Sequence, residues 1–184
     1  MRAGRILTHD VTPKPHGGTI HLSAADARGN FAALTLTHGE SFGARVTVDG
    51  LGLTLGHGMI RFDMSANHPN STGPGKRPLH NMCPTIVARG GRPILAIGGR
   101  GGRRIPNAVF EALTQFVLIG QPLAASFATP RVHTEGNAVV ELEKHWPEPD
   151  LNELRLRGYS VRTGSSATLS AVAREDGQFR GAML

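Results

Sequence analysis

A chain of 184 residues with 39% hydrophobic side chains and a mean hydropathy of −0.17 has the composition of one globular domain. No apolar run approaches the ~20 residues that a membrane helix needs, so no membrane segment is expected. Twenty Lys and Arg against fourteen Asp and Glu leave a formal charge of +6, which admits anionic partners. Nucleic acid is not expected among them: aromatic residues make up 5% of the chain, offering few stacking platforms, and the basic residues are scattered apart from Arg100, Arg103 and Arg104. The single cysteine, Cys83, excludes an internal disulfide.

Residues 1–18, with Arg2, Arg5 and the Pro13-Lys14-Pro15 run, read as an exposed arm; His9, Asp10 and Lys14 interrupt it before a secretory leader could form. The Gly17-Gly18 pair then runs into Thr19, which opens a predicted strand to Asp26. Ile20, Leu22 and Ala24 fall on one face of that strand, and Thr19, His21 and Ser23 on the other. Two readings of Thr19 stand side by side: a β-branched strand starter after a flexible turn, or a residue before which the chain cuts itself. In the second, cleavage of the Gly18-Thr19 bond gives Thr19 a free α-amine that can serve as base for its own hydroxyl.

Ala27 to Asn30 reads as a hairpin turn and Phe31 to Thr37 as the returning strand, which places Thr37 at the same end of the pair as Thr19. After a loop from His38 to Gly43 come short extended pieces at Val46–Val48 and Leu51–Leu55. Met64 to Pro78, rich in Asn, Pro, Ser and Gly, is a long surface loop. A second hairpin pairs Pro84–Ala88 with Pro93–Ile97, and its second strand empties into the glycine-rich loop Gly98 to Arg104. A helix follows, with Val109, Phe110, Leu113, Phe116 and Val117 as its apolar stripe and Gly120 as its stop. A short helix at Gln121–Ala128, extended pieces at Arg131–His133 and Ala138–Leu142, a helix at Pro149–Arg157 and a strand at Tyr159–Thr163 come next. Two last strands, Ala167–Arg174 and Gln178–Ala182, flank the turn Glu175-Asp176-Gly177. Strands, helices and strands again predict an α+β layered sheet.

The loop at Gly98 to Arg104 lacks the lysine and hydroxyl of a phosphate-binding P-loop, and its hairpin neighbours exclude a dinucleotide fold. A nest of backbone N–H groups remains, which can hold an oxyanion in acyl transfer. Nine histidines, at 9, 16, 21, 38, 57, 68, 80, 133 and 145, lack the spacing of zinc ligands, so neither a metal nor any other cofactor is expected. Cys83, heading an apolar strand, reads as an inert buried thiol.

Taken together, several runs carry a resemblance. They are Thr19-Ile20-His21-Leu22-Ser23 with Asp26, Gly29 and Asn30; Leu36-Thr37 with Ser41-Phe42-Gly43; and Gly73-Pro74-Gly75-Lys76-Arg77-Pro78-Leu79 with Met82, Pro84, Thr85 and Ile86. Gly98 to Gly102 with Arg104 and Ile105, and Ala128-Thr129-Pro130-Arg131-Val132-His133, complete the set. From Gly18 onward the sequence resembles the small, catalytic subunit of the gamma-glutamyltransferase (gamma-glutamyl transpeptidase) family, among the N-terminal nucleophile hydrolases. The resemblance implies half of a four-layer αββα sandwich in residues 19–184, completed by a large subunit or a partner chain. It also implies an autoprocessed Thr19 nucleophile that forms an acyl-enzyme with a small amide or peptide donor, resolved by water or an amine. Thr37 matches the threonine that hydrogen-bonds the nucleophile, and Gly101 and Gly102 match the oxyanion-hole pair.

The sequence also departs from the family pattern. Arg61, before Phe62, stands where the family places an aspartate for the donor's α-ammonium, with Asp63 two residues on. His80 and Asn81 replace the two serines that grip the donor carboxylate, and Gly39 replaces an asparagine. A γ-glutamyl ammonium would be repelled by Arg61, so the expected donor presents a carboxylate there instead of glutathione. With eighteen residues before the nucleophile, a separate large chain or self-association is expected to cover the exposed sheet. The alternatives are an inactive subunit of the same fold that acts as an interaction partner, and a basic nucleic-acid binder resting on the Arg-Gly run alone.

Overall fold

The computed structural model describes residues 18–143, 146–165 and 167–184. The expected arm lies outside these residues except for Gly18, as do His9, His16 and His145.

The first two strands, β1 (Thr19–Ala25) and β2 (Phe31–Thr37), form the predicted hairpin in full register, Thr19 opposite Thr37 and Ala25 opposite Phe31. Its turn is built by Asp26, whose carboxylate accepts the N–H groups of Arg28 and Asn30 at 2.9 and 3.0 Å while Gly29 takes φ 87°. Beyond it, β3 (Thr47–Val48) and β4 (Leu53–Thr54) make a small pair, and a single 3₁₀ turn spans Gly58–Arg61. β5 (Thr85–Arg89) and β6 (Arg92–Arg100) form the second hairpin. They join β10 (Thr168–Glu175) and β11 (Gln178–Met183) in a four-stranded antiparallel sheet of order β11-β10-β6-β5.

Three layers result. The β1-β2 hairpin lies across one face of the four-stranded sheet, against β6, β10 and β5. On the other face, α1 (Arg104–Leu113) packs over β6 and β10, and α2 (Leu123–Ala128) over β11. The apolar core fills the sheet-to-helix layer: Leu95, Ile97, Leu169, Ala171 and Ala173 meet Ile105, Ala108, Val109, Ala112, Leu123 and Phe127. The hairpin's own leucines face away from the sheet, with Ile20, Leu22, Leu34 and Leu36 54–62% exposed. One α layer, one full sheet and the start of a second sheet make half of an αββα sandwich.

Two expectations require correction. The glycine-rich loop is shorter than its composition suggests, because β6 continues through Gly98 and Gly99 to Arg100, paired with Ser170, Leu169 and Thr168. Those two glycines answer close packing, since a side chain at Gly99 would meet the Thr168 carbonyl at 2.5 Å; only Gly101 and Gly102, at φ 137° and 65°, make the turn. The buried stripe of α1 is Ile105, Ala108, Val109 and Ala112, and Phe110 is 69% exposed. The small alanines let the helix settle close to β6, and the chain then widens into a π turn at Thr114–Ile119 before Gly120 ends it in the left-handed region. A further sheet, of β7 (Val132–Thr134), β8 (Val139–Leu142) and β9 (Ser160–Thr163), contains a parallel pair, β8 with β9, bridged by α3 (Glu148–Leu156).

Where α1 meets β7, the half-buried Glu111 accepts the Val132 N–H at 3.1 Å, next to the Arg131–Glu143 ion pair at 2.9 Å. Burial pushes the Glu111 carboxyl up to about 7, against the pull of the Val132 N–H and Arg131 and with the help of the Glu143 charge. A carboxyl whose folded pKa is raised costs the fold when it ionises; the cost is absent below pH 4.5, grows through the window to about 7 and is complete above it. Glu111→Gln, neutral and still an acceptor, is expected to match the parent at pH 4.5 and to melt a few degrees higher at pH 8. Thermal denaturation at the two pH values checks this.

Candidate active site

Thr19 is buried at the head of β1, and its Oγ lies 2.9 Å from Thr37 Oγ across the hairpin. Thr37 Oγ also accepts the Gly39 N–H at 3.0 Å, so Thr37 can give its own proton to Thr19 Oγ and leave the Thr19 proton free for a base. One step outward along the same ladder, the Gly18 carbonyl accepts the His38 N–H at 3.1 Å. This contact at the expected cleavage bond was not anticipated from sequence. Extending the Thr19–Thr37 register by one pair would have found it.

The segment after β2 ties the hairpin to a pocket. His57 N–H donates to the His38 carbonyl at 2.9 Å, which brings the Gly58–Arg61 turn against the open end of the hairpin. Gly39, in the left-handed region at φ 82°, makes that approach possible: a Cβ there would stand 3.2 Å from both the His57 carbonyl and Ile60 Cδ1. The asparagine-to-glycine departure therefore has a packing consequence.

Arg61, His80 and Asn81 are brought together. The Arg61 guanidinium lies beside His80 and, with burial as the larger cause, holds the imidazole below its ordinary pKa of 6.5. His80 Nδ1 accepts the Met82 N–H at 3.3 Å, so the neutral ring carries its proton on Nε2. Arg61 Nε is buried with no hydrogen-bond partner among the described residues, as is Asn81 Oδ1. Asn81 Nδ2 donates to the Gly102 carbonyl, which ties this cluster to the glycine turn. Among the described residues no backbone carbonyl takes the N–H of Gly101 or Gly102, so both remain available as donors.

Asp63 does not join the cluster. It accepts the Ser65 N–H at 2.8 Å and faces His68 at 3.7 Å, contacts that hold its carboxyl below the usual range and turn it into its own loop. That loop is braced by Lys76, whose Nζ donates to the Pro69 and Ser71 carbonyls at 3.2 and 2.9 Å, and by Asn70, which bonds the Arg61 carbonyl at 2.6 Å. The Gly-Pro-x-Lys-Arg-Pro-Leu run thus serves to set the backbone of Arg61. The resulting cluster holds a cation and N–H donors, and the Asp63 carboxylate is engaged in its own loop. Among the described residues no group of three or more His, Cys, Asp or Glu stands ready to hold a metal ion.

Residues 4–183 match the family model described as gamma-glutamyltranspeptidase. The chain belongs to the gamma-glutamyltranspeptidase family. The glutathione hydrolase proenzyme of Bacillus subtilis (strain 168) is 30% identical over 173 residues, which are 91% of this chain and 29% of that protein. The acylase ACY 1 proenzyme of Pseudomonas sp. (strain SE83) is 34% identical over 161 residues, 88% of this chain and 29% of that one. The chain therefore spans about three tenths of the length of the curated relatives it matches. Among solved structures, the T380A mutant of Helicobacter pylori gamma-glutamyltranspeptidase superposes with a TM-score of 0.79 at 26% identity, covering 89% of this chain and 97% of that chain. A cephalosporin acylase from Bacillus halodurans shares the fold at the same TM-score, 0.79, and 23% identity. These matches bear out the family resemblance and the α+β half-sandwich read from the sequence.

The neighbourhood of His80 and Arg61 is open to a direct check. Replacing Arg61 with Gln removes one of the two causes that depress the imidazole, so its pKa should move up while staying below 6.5 because burial persists. Titration of the His80 ring by NMR in both proteins measures the shift.

Proposed function

We propose that this chain is the nucleophile-bearing part of an acyltransferase or amide hydrolase that works through an autoprocessed N-terminal threonine. The observation that carries the reading is the buried Thr19 Oγ, 2.9 Å from Thr37 Oγ, immediately after a peptide bond whose carbonyl accepts an N–H bond. Autoprocessing begins with attack of Thr19 Oγ on the Gly18 carbonyl carbon, as the His38 N–H polarises that carbonyl. The C–N bond breaks, the Thr19 nitrogen takes the proton that Oγ loses, and water hydrolyses the ester that results. Residues 1–18 leave, and residues 19–184 remain as the working domain.

The freed α-amine, with a reference pKa of about 7.7 to 8, is a competent base at neutral pH. It takes the Oγ proton as Oγ attacks the donor carbonyl, and the Gly101 and Gly102 N–H groups stabilise the oxyanion; losing one such donor costs on the order of 3 kcal/mol. Collapse expels the donor's amine, which takes the proton from the α-amine. Water or an acceptor amine then attacks the acyl-enzyme and restores Thr19.

Arg61 sets the donor class. Its unpartnered buried Nε, the Nε2–H of His80 and the engagement of Asp63 elsewhere suit a donor that presents a carboxylate and repel one that presents an ammonium. An acyl group with a terminal carboxylate and no α-ammonium fits, and the similarity to a protein named as an acylase supports that reading. The apolar outer face of the β1-β2 hairpin calls for cover, which a large chain of the same family supplies.

In protein assembled with its large chain, Thr19→Ala is expected to retain residues 1–18 and to lose turnover, as read by intact mass and an anilide assay; cleavage or turnover in that variant overturns the mechanism. Arg61→Asp should lower hydrolysis of N-glutaryl-4-nitroanilide roughly tenfold to a hundredfold and raise that of γ-glutamyl-4-nitroanilide. Unchanged donor preference counts against the pocket assignment.

A further inference from the structure

The contact between the nucleophile hairpin and the sheet beneath it has unusual chemistry. Packed sheets commonly fix their mutual position through interdigitated apolar side chains. Here the hairpin turns Thr19, His21, Ser23, Thr35 and Thr37 toward the sheet, and the apolar core lies on the sheet's far side. The residues that β6 and β10 present to the hairpin are small, Ala96 and Gly98 paired with Val172 and Ser170.

Into this layer His21 puts an imidazole ring. Its ring sits directly over Gly98: a Cβ on that glycine would fall 2.3 Å from Cε1, 2.4 Å from Nδ1 and 2.8 Å from Nε2. The ring is held on both sides, with Nδ1 2.7 Å from Thr35 Oγ and Nε2 2.9 Å from Ser23 Oγ. Burial lowers its pKa, so the neutral ring gives one proton and accepts one, and each hydroxyl can take either part. At the turn end, the hairpin is pinned by Phe31 against Phe179, with ring centroids 5.9 Å apart. Along its length Ser23 Oγ donates to the Ser170 carbonyl and Ser170 Oγ to the His21 carbonyl, both at 3.5 Å, and beyond its open end the His57 N–H donates to the His38 carbonyl. The His21 ring lies two residues along β1 from Thr19, and the notch that receives it lies three residues before Gly101 on the same strand and turn.

We propose that His21 is a positioning residue: seated in the notch left by Gly98, it fixes where Thr19 Oγ stands relative to the N–H groups of Gly101 and Gly102. This rests on the reading of Thr19 as nucleophile. Because reacting groups must meet within a narrow range, a displacement of about 1 Å costs roughly a hundredfold in rate.

The test uses the protein assembled with its large chain and four variants, His21→Ala, Gly98→Ala, the double variant and Thr19→Ala, read by kcat, KM, melting temperature and the mass-detected release of residues 1–18. Gly98→Ala should lower kcat by roughly a hundredfold and slow the release, with KM changed by less than about threefold; His21→Ala should lower kcat about tenfold. In the double variant, with no ring to displace, kcat should equal that of His21→Ala alone, a non-additivity that a merely structural histidine would not produce. Should Gly98→Ala fail to fold, a double variant that folds and turns over like His21→Ala supports the proposal, and one that also fails overturns it. Wild-type kcat in His21→Ala, or effects that multiply in the double variant, also overturn it. Turnover in Thr19→Ala overturns the nucleophile reading itself, whereas a dead Thr19→Ala beside a wild-type His21→Ala overturns the positioning alone.

Discussion

The antiparallel register that sets Thr19 opposite Thr37 is the constraint on which the site depends. It brings two hydroxyls to 2.9 Å and, one pair further out, sets the His38 N–H on the Gly18 carbonyl. A slip by one residue would turn every side chain of the strand to the other face and remove both contacts. The register is secured by the turn at Asp26, whose carboxylate binds two backbone N–H groups, and by the length of the two strands. The geometry at the candidate nucleophile is thus decided at the opposite end of the hairpin.

That hairpin reverses the usual sense of an amphipathic strand pair. Its polar face is turned to the protein and its leucines to the outside, 54–62% exposed. Ile20 and these three leucines, already partly covered, forgo on the order of 1 kcal/mol each. A partner layer that covers them recovers this energy and gives the hairpin a second sheet to join, which is the sense in which the chain is half of a sandwich. The face turned to the four-stranded sheet carries Thr19, His21, Ser23, Thr35 and Thr37.

Around the pocket, the departures from the family pattern act together. Gly39 admits the Gly58–Arg61 turn close to the hairpin, the loop braced by Lys76 and Asn70 fixes the Arg61 backbone, and Asn81 joins the cluster to the Gly102 carbonyl. Arg61 brings a half-buried cation to this cluster, and its buried Nε has no hydrogen-bond partner among the described residues. A buried N–H without an acceptor is costly, and a carboxylate ligand would offset that cost.

Much of the architecture was legible in the sequence because its signals are local. The turn residues at Asp26–Asn30 and Glu175–Gly177, the alternation of the strands and the stop at Gly120 each specify their own element, and the glycine, lysine and proline runs carry the family. The helix stripe was misread by one position because Ala108 and Ala112 look weakly apolar in a sequence, yet they are what permits close packing on β6. Gly98 and Gly99 look like loop in the sequence for a related reason: a glycine that frees the backbone and a glycine that makes room for a neighbour are the same letter, and the neighbour comes from a strand far away in the chain. The sequence by itself carried the family, the strands of the first hairpin and the candidates for chemistry, Thr19, Thr37, the Gly101–Gly102 pair and Arg61, because these signals lie in short runs. Tertiary structure alone decided that Asp63 turns away while Arg61, His80 and Asn81 converge, and that His21 sits over Gly98, since these depend on contacts between segments whose separation along the chain carries no local signal.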